Sequence, residues 1–79
     1  MRKEYVRVIS ETSVDGLITP KTIIWRDDTK FDIDRVLDHR PCASLKTGGV
    51  GTRYTVKINS TITHLFLEDT RWFVEEKTT

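Results

Sequence analysis

The chain of 79 residues has little cysteine and proline, and it has no long apolar run. Its single cysteine, Cys42, excludes an internal disulfide and any metal site built from several cysteines, and it indicates a reducing, intracellular compartment. No segment approaches the ~20 apolar residues of a membrane-spanning helix, and the amino-terminal residues do not resemble a signal peptide. We therefore expect a cytoplasmic protein with no membrane association.

The chain also has little net charge, +1 overall, which excludes a protein that binds polyanions over its whole surface. The charge is unevenly distributed. Residues 35–57 carry five cations and one acid, for +4, whereas residues 1–34 sum to −1 and residues 58–79 to −2. The five cations are Arg35, Arg40, Lys46, Arg53 and Lys57.

The length predicts a single domain over residues 1–79 with a small hydrophobic core. Two Trp, two Tyr and three Phe supply bulky apolar side chains for that core. A folded domain is therefore expected rather than a disordered chain.

Short alternating segments and polar turns indicate β-structure throughout, with no helical periodicity of useful length. Asp-Gly at 15–16 is typical of a tight hairpin, and Pro20 places its segment at an edge or a bend. Residues 38–51 are expected to be irregular. The six predicted strands cover 4–12, 17–25, 30–37, 53–59, 61–68 and 72–76, and turns are predicted at 14–16, 26–29, 59–60 and 68–71.

The alternation also predicts which side chains face the core. The segment 30–37 puts Arg35 on its apolar side, with Phe31, Ile33 and Leu37, and puts Val36 on the side of the aspartates. In 53–59 the inward residues are Tyr54, Val56 and Ile58. In 61–68 both faces are partly apolar, which predicts a central strand or one covered on both sides: Thr61, Thr63, Leu65 and Leu67 face one way, and Ile62, His64 and Phe66 the other.

These features predict an all-β fold, a six-stranded antiparallel meander rolled into a small SH3-like, partly open barrel. Rolling is favoured because a flat sheet of this size would expose one face and two edges. The structural alternative is a homodimer joined across a sheet face or edge.

The glycine cluster Gly48, Gly49 and Gly51 invites comparison with loops that bind phosphate through backbone N–H groups. It does not match the P-loop, which requires Gly-Lys followed by Ser or Thr and then a helix. The favoured interpretation is a strand connection whose geometry requires glycine. The alternative is an anion site formed by this backbone together with Arg53.

The basic residues could follow a phosphate backbone if they share one face of the fold. Tyr54, Trp25 and Trp72 could then offer stacking surfaces, as in small barrels that bind single strands. Core packing of these rings, with the cations on an ordinary solvated surface, is the competing interpretation.

No catalytic, metal or cofactor site is predicted. His39, His64 and Cys42 are scattered, and no flanking motif supports a metal site or a Cys–His nucleophile pair. A ligand pocket using Asp38, His39 and Arg53 is a third hypothesis, which would require an apolar cavity beside these residues.

Several motifs together resemble a group of small uncharacterised bacterial proteins. They are Trp25, IDRVLD at 33–38, ASLKTGGVGTRYT at 43–55 and RWFVE at 71–75. The resemblance covers most of the chain after residue 20 and implies no activity. It implies a DNA-damage context, because relatives are encoded near translesion-type DNA polymerases. The group usually has glycine after Asp27, where this chain has Asp28.

The sequence therefore predicts a non-enzymatic binding module in which a protein or nucleic-acid partner docks at the basic, glycine-rich loop 38–53. The alternative is a homodimeric structural or adaptor protein that binds no nucleic acid. The predicted binding residues are Arg35, Arg40, Lys46, Gly48, Gly49, Gly51, Arg53 and Tyr54.

Overall fold

Seven antiparallel strands make up the part of the chain that the structure, a computed structural model, describes: residues 2–43 and 50–76. The all-β prediction is confirmed, with seven strands rather than six, and the described residues contain no helix that could span a membrane. The strands are β1 (Arg2–Thr12), β2 (Ile18–Ile24), β3 (Lys30–Asp32), β4 (Arg35–Ala43), β5 (Val50–Ile58), β6 (Thr61–Glu68) and β7 (Arg71–Glu76).

The strands form one sheet in the order β3-β2-β1-β7-β6-β5-β4, which curls into an open half-barrel. The long strand β1 joins its two parts, because residues 2–6 pair with β7 and residues 7–12 pair with β2. Consecutive strands β3 and β4 lie at opposite edges of the sheet. The predicted partly open barrel is therefore confirmed, and its seam lies between β3 and β4.

The link between β3 and β4 corrects the prediction of one strand over 30–37. The Ile33 N–H donates to the Lys21 carbonyl of β2 at 2.9 Å, and the Asp34 N–H donates to the Lys57 carbonyl of β5 at 2.8 Å. The chain thus crosses from one edge of the half-barrel to the other, which resets the alternation. Val36 packs against the core, whereas Arg35 is exposed, the reverse of the predicted phase.

A second correction concerns residues 38–51, which were expected to be irregular. Strand β4 continues through Asp38 to Ala43 and pairs with β5 as far as Val50. Pro41 is tolerated there because β4 is an edge strand with a neighbour on one side only. No strand on its other side needs a hydrogen bond from the N–H that proline lacks. Only residues 44–49 of the expected irregular segment lie outside the described residues.

The core fills the inside of the half-barrel. Val56 and Leu65 are fully buried, and the predicted inward face of β5, from Tyr54 to Ile58, is confirmed. In β6, which was predicted to be central or covered on both sides, Thr63, Leu65 and Leu67 face the core, and the strand lies between β5 and β7. The Tyr54 hydroxyl donates to the Ile18 carbonyl of β2 at 2.7 Å, a bond between opposite walls. The buried core residues are Ile23, Tyr54, Val56, Leu65, Leu67 and Trp72.

The predicted turns are confirmed, and each contains one residue in the left-handed backbone region. Gly16 has φ of 88° in the first hairpin, and Asn59 and Asp69 have φ of 55° and 57° in the last two. In the second turn Asp28 has φ of 65° and donates its N–H to the Trp25 carbonyl. Asp and Asn tolerate this region better than other non-glycine residues, so Asp28 fits a position that glycine would also fill.

Candidate nucleic-acid interface

Four of the five predicted cations lie on one face of the β4–β5 pair. Arg35 pairs with Lys57, and Arg40 pairs with Arg53. All four point away from the core, because the alternating residues Val36 and Val56 pack inside. We call this side of the sheet the outer face. The two cation pairs are four residues apart on β5, a separation of about 13 Å.

A β-bulge in β4 brings these cations together. Arg35 and Arg40 are five residues apart, so a regular strand would place them on opposite faces. The pairing with β5 shifts by one residue between Val36 and Asp38, which leaves Leu37 as the extra residue. A bulge inserts one unpaired residue, so residues that are an odd number of positions apart across it point to the same face of the sheet. Arg35 and Arg40 therefore share the outer face.

The charges on this face are mostly unneutralised. The Arg40 Nε donates to Asp38 Oδ2 at 2.7 Å, and this hydrogen bond lowers the pKa of the Asp38 carboxyl. Arg35, Arg53 and Lys57 make no ion pair with any other described residue. Four cations and one carboxylate leave +3 on the outer face of β4 and β5. Like charges directly opposite in a sheet destabilise it, so this arrangement does not serve folding.

Aromatic side chains continue the same face across the neighbouring strands. Phe66 of β6 is the Cα partner of Arg53, and Phe73 of β7 is the partner of Phe66. The two rings stack with centroids 4.9 Å apart and planes 5° apart, and Tyr5 of β1 meets Phe73 edge-on at 5.7 Å. His64, exposed on β6, lies beside Phe66 with centroids 6.5 Å apart. A cross-strand row thus runs Arg40, Arg53, Phe66, Phe73 and Tyr5.

The far end of this row is covered by a charge network. The Lys3 Nζ lies 4.6 Å above the centroid of Phe73 and donates to Glu68 at 3.0 Å. The Tyr5 hydroxyl also donates to Glu68, at 3.1 Å, and Arg71 covers the Tyr5 ring at 4.6 Å. As a result Phe73 is only 7% exposed, although it lies on the outer face. Tyr5 itself remains 43% exposed beside Arg71. Toward β5 the row ends in Phe66, which is partly buried, next to the exposed His64.

The aromatic residues predicted to stack on a partner are not the ones on this face. Tyr54 is 4% exposed and Trp72 is 8% exposed, because both belong to the core, and burial raises the pKa of Tyr54. Tyr54, one of the predicted binding residues, therefore lies in the core and not on the outer face. Trp25 lies at a turn with Arg26 against its ring. The sequence analysis did not include Phe66 and His64 among the binding residues. The partly apolar second face of the segment 61–68 was the signal that could have indicated them.

The predicted glycine site divides between described and undescribed residues. Gly51 is required by close packing, because a Cβ there would lie 2.6 Å from the Leu67 carbonyl oxygen of β6. This supports the interpretation that strand geometry requires glycine at that position. Lys46, Gly48 and Gly49 lie outside the described residues.

The groups considered for chemistry are dispersed. His39 is on the inner side of β4, its ring 6.2 Å from that of Tyr54, whereas Asp38 points outward. No group of three or more His, Cys, Asp or Glu within the described residues is arranged to hold a metal ion. An open depression of about 600 Å³ lies between β1 and β7, lined by residues that include Tyr5, Arg7 and Trp72. It does not adjoin Asp38, His39 or Arg53.

In comparisons with known proteins, the chain matches no family model, no curated protein and no solved structure.

Proposed function

We propose that this protein is a non-enzymatic binding module that docks a nucleic acid on the outer face of β4 and β5. The observation that carries the proposal is the register of these strands, which sets Arg35, Arg40, Arg53 and Lys57 on one face with a single carboxylate among them. Relative to the sequence prediction, the docking surface moves from the loop to the two strands that flank it.

Phosphate is the chemistry that suits this surface. Cations that lack protein partners bind phosphate oxygens and release counterions from the nucleic acid, which makes binding favourable and strongly salt-dependent. Arginine adds two parallel hydrogen bonds to one phosphate, which lysine does not. The two cation pairs, about 13 Å apart along β5, would contact the backbone at two places. A cytoplasmic location and a DNA-damage context form part of the proposal.

Fluorescence anisotropy with labelled single-stranded and duplex DNA at low salt tests it. The wild-type protein should bind, with a log–log salt slope of about −0.7 per contacted phosphate for a single strand and about −0.9 for a duplex. The double variant Arg53→Gln, Lys57→Gln should lose at least about tenfold in affinity, and its slope should be shallower by about 1.4 on a single strand.

The matched control is Lys21→Gln, Lys30→Gln, which removes the same charge from exposed positions on β2 and β3. It should bind as the wild type does, apart from a small effect of net charge. Absence of wild-type binding at tens of micromolar, or equal loss in both double variants, would overturn the proposal. Light scattering on the same samples would then distinguish the homodimeric alternative, in which the protein is a dimer at micromolar concentration.

A further inference from the structure

We propose that the ligand is a single-stranded nucleic acid, whose phosphates lie on the β4–β5 cations and whose bases stack on Phe66 and His64 of β6. This inference rests on the proposed function and specifies its ligand. The observation behind it is the juxtaposition of unneutralised cations on β4 and β5 with the partly buried Phe66 and the exposed His64 on the adjacent strand of the same face.

The geometry places rings and cations within reach of one nucleotide. Phe66 is the Cα partner of Arg53, and His64 is the partner of Thr55. Neighbouring strands are about 4.8 Å apart, so both rings lie one strand away from the line of cations. A backbone held along β5 can therefore place its bases over β6. Phe73 covers one side of Phe66, and the neighbour on its other side is the cationic strand β5.

The closed end of the aromatic row sets the limit of the site. Beyond Phe66, Lys3 in its ion pair with Glu68 lies over Phe73, so Phe73 offers no free ring face to a base. Tyr5, the next ring, is 43% exposed but already has Arg71 over its ring. Glu75 is also on this side of the outer face, opposite Lys3. Carboxylates repel phosphates, whereas β4 and β5 attract them. The strand is thus confined to β4, β5 and β6, which gives a short site of a few nucleotides.

The same arrangement disfavours a duplex. In a duplex the bases are paired and stacked on each other, so an aromatic ring on a sheet face has no base to contact. Single strands expose their bases, and stacking on an aromatic side chain tolerates any sequence because every base has a π-face. A duplex would use only the cations. We therefore expect single strands to bind more tightly than duplexes, without strong sequence preference.

The test compares Phe66→Leu with Phe31→Leu. Leucine keeps an apolar side chain but removes the ring. Phe31, 39% exposed on β3, is a matched aromatic control away from the site. Phe66→Leu should weaken single-strand binding at least about fivefold while leaving its salt slope and duplex affinity unchanged. Phe31→Leu should have no effect, and Phe66→Trp should retain binding.

Phe66→Trp also provides a direct signal. Its added fluorescence, relative to the wild type with its own two tryptophans, should be quenched by a single-stranded oligonucleotide and not by a duplex. Deoxy- and ribo-oligonucleotides of one sequence, measured side by side, identify DNA or RNA as the tighter ligand.

The two proposals fail in different ways. The ligand assignment is overturned if Phe66→Leu binds single strands as the wild type does, or if duplex binds as tightly as single strand while Arg53→Gln, Lys57→Gln still loses affinity. If the wild type binds no nucleic acid at all, the proposed function fails and the ligand assignment with it.

Discussion

The outer face of the sheet has two halves built from similar residues and organised in opposite ways. On one half, which we call the closed half, Lys3 and Arg71 flank Glu68, and they lie over the rings of Phe73 and Tyr5 respectively. On the other, the open half, Arg35, Arg40, Arg53 and Lys57 surround only Asp38. With Glu75, which lies opposite Lys3, the closed half has two cations and two carboxylates, whereas the open half keeps a charge of +3.

The difference indicates which half contributes to folding. In the closed half the Lys3 and Glu68 side chains are 27% and 12% exposed, so their ion pair is less screened than a surface pair. Cations over Phe73 and Tyr5 add about 0.5–1 kcal/mol each. In the open half, Arg40 and Arg53 are directly opposite and repel. A surface that costs stability is better explained by a ligand than by the fold.

The largest expected effect is a loss of stability at Phe73 that is not expected at Phe66, the ring stacked on it. Phe73→Ala should cost about 3–5 kcal/mol, because it leaves a cavity beneath Lys3 where the ring is 7% exposed. A domain of this size is stable by only about 3–5 kcal/mol, so the variant should be largely unfolded at 25 °C. Phe66→Ala, at a partly buried position, should remain folded in urea denaturation followed by circular dichroism.

These two variants test whether the two halves of the outer face differ. If Phe66→Ala unfolds as Phe73→Ala does, both rings are needed for folding, and Phe66 belongs to the closed half. Leu65→Ala, in the fully buried core on the same strand as Phe66, is the positive control for loss of folding.

A smaller effect is expected at the centre of the closed half. Glu68→Gln keeps the shape of the side chain but removes the charge that Lys3, Tyr5 and Arg71 share. We expect a loss of about 1–3 kcal/mol in the free energy of unfolding, because charged hydrogen bonds to a largely buried carboxylate are replaced by neutral ones.

Glu75→Gln is the matched control for this variant. It removes the same charge from an exposed position of the same face, and it should change stability by less than about 0.5 kcal/mol. Equal losses in the two variants would show that net charge, rather than the network at Glu68, stabilises the closed half.

Much of the fold could be predicted because it depends on neighbours in sequence. The turns at Asp28, Asn59 and Asp69 and the alternation of β5 and β6 are local properties. The division between β3 and β4 could not be predicted, because it depends on the bond from Asp34 to Lys57, which is distant in sequence. The visible signal was Arg35, which a single strand over 30–37 placed on the apolar side.

The candidate site was less predictable than the fold for a related reason. The sequence showed that cations are concentrated between Arg35 and Lys57, but not that Arg35 and Arg40 share a face. That depends on the bulge at Leu37, which only the pairing of β4 with β5 defines. Phe66 joins the site through its pairing with Arg53, again across strands.

The smallest expected effect concerns Asp38, the one carboxylate in the open half. The hydrogen bond from Arg40 holds the pKa of Asp38 below its ordinary value of 3.8. A carboxyl whose pKa is lower in the folded state stabilises the fold at pH values above its unfolded pKa, and this contribution is lost as pH falls through the folded pKa. Asp38→Asn should therefore be slightly less stable than the wild type between pH 5 and 7, and the difference should begin to shrink near pH 4 and be lost as pH falls through the folded pKa.

Urea denaturation of the wild type and Asp38→Asn from pH 7 to pH 3 measures this difference in stability. If the hydrogen bond from Arg40 is its cause, Asp38→Asn should have no such effect when it is introduced into Arg40→Gln.

Asp38→Asn is expected to have the opposite effect on binding, because it raises the charge of the open half from +3 to +4. Asp38→Asn should thus bind a single-stranded oligonucleotide a few-fold more tightly than the wild type at pH 7. A variant that is less stable and yet binds more tightly is the outcome that separates a ligand surface from a structural one. Weaker binding by Asp38→Asn would mean that Asp38 positions Arg40 for the phosphate rather than opposing it.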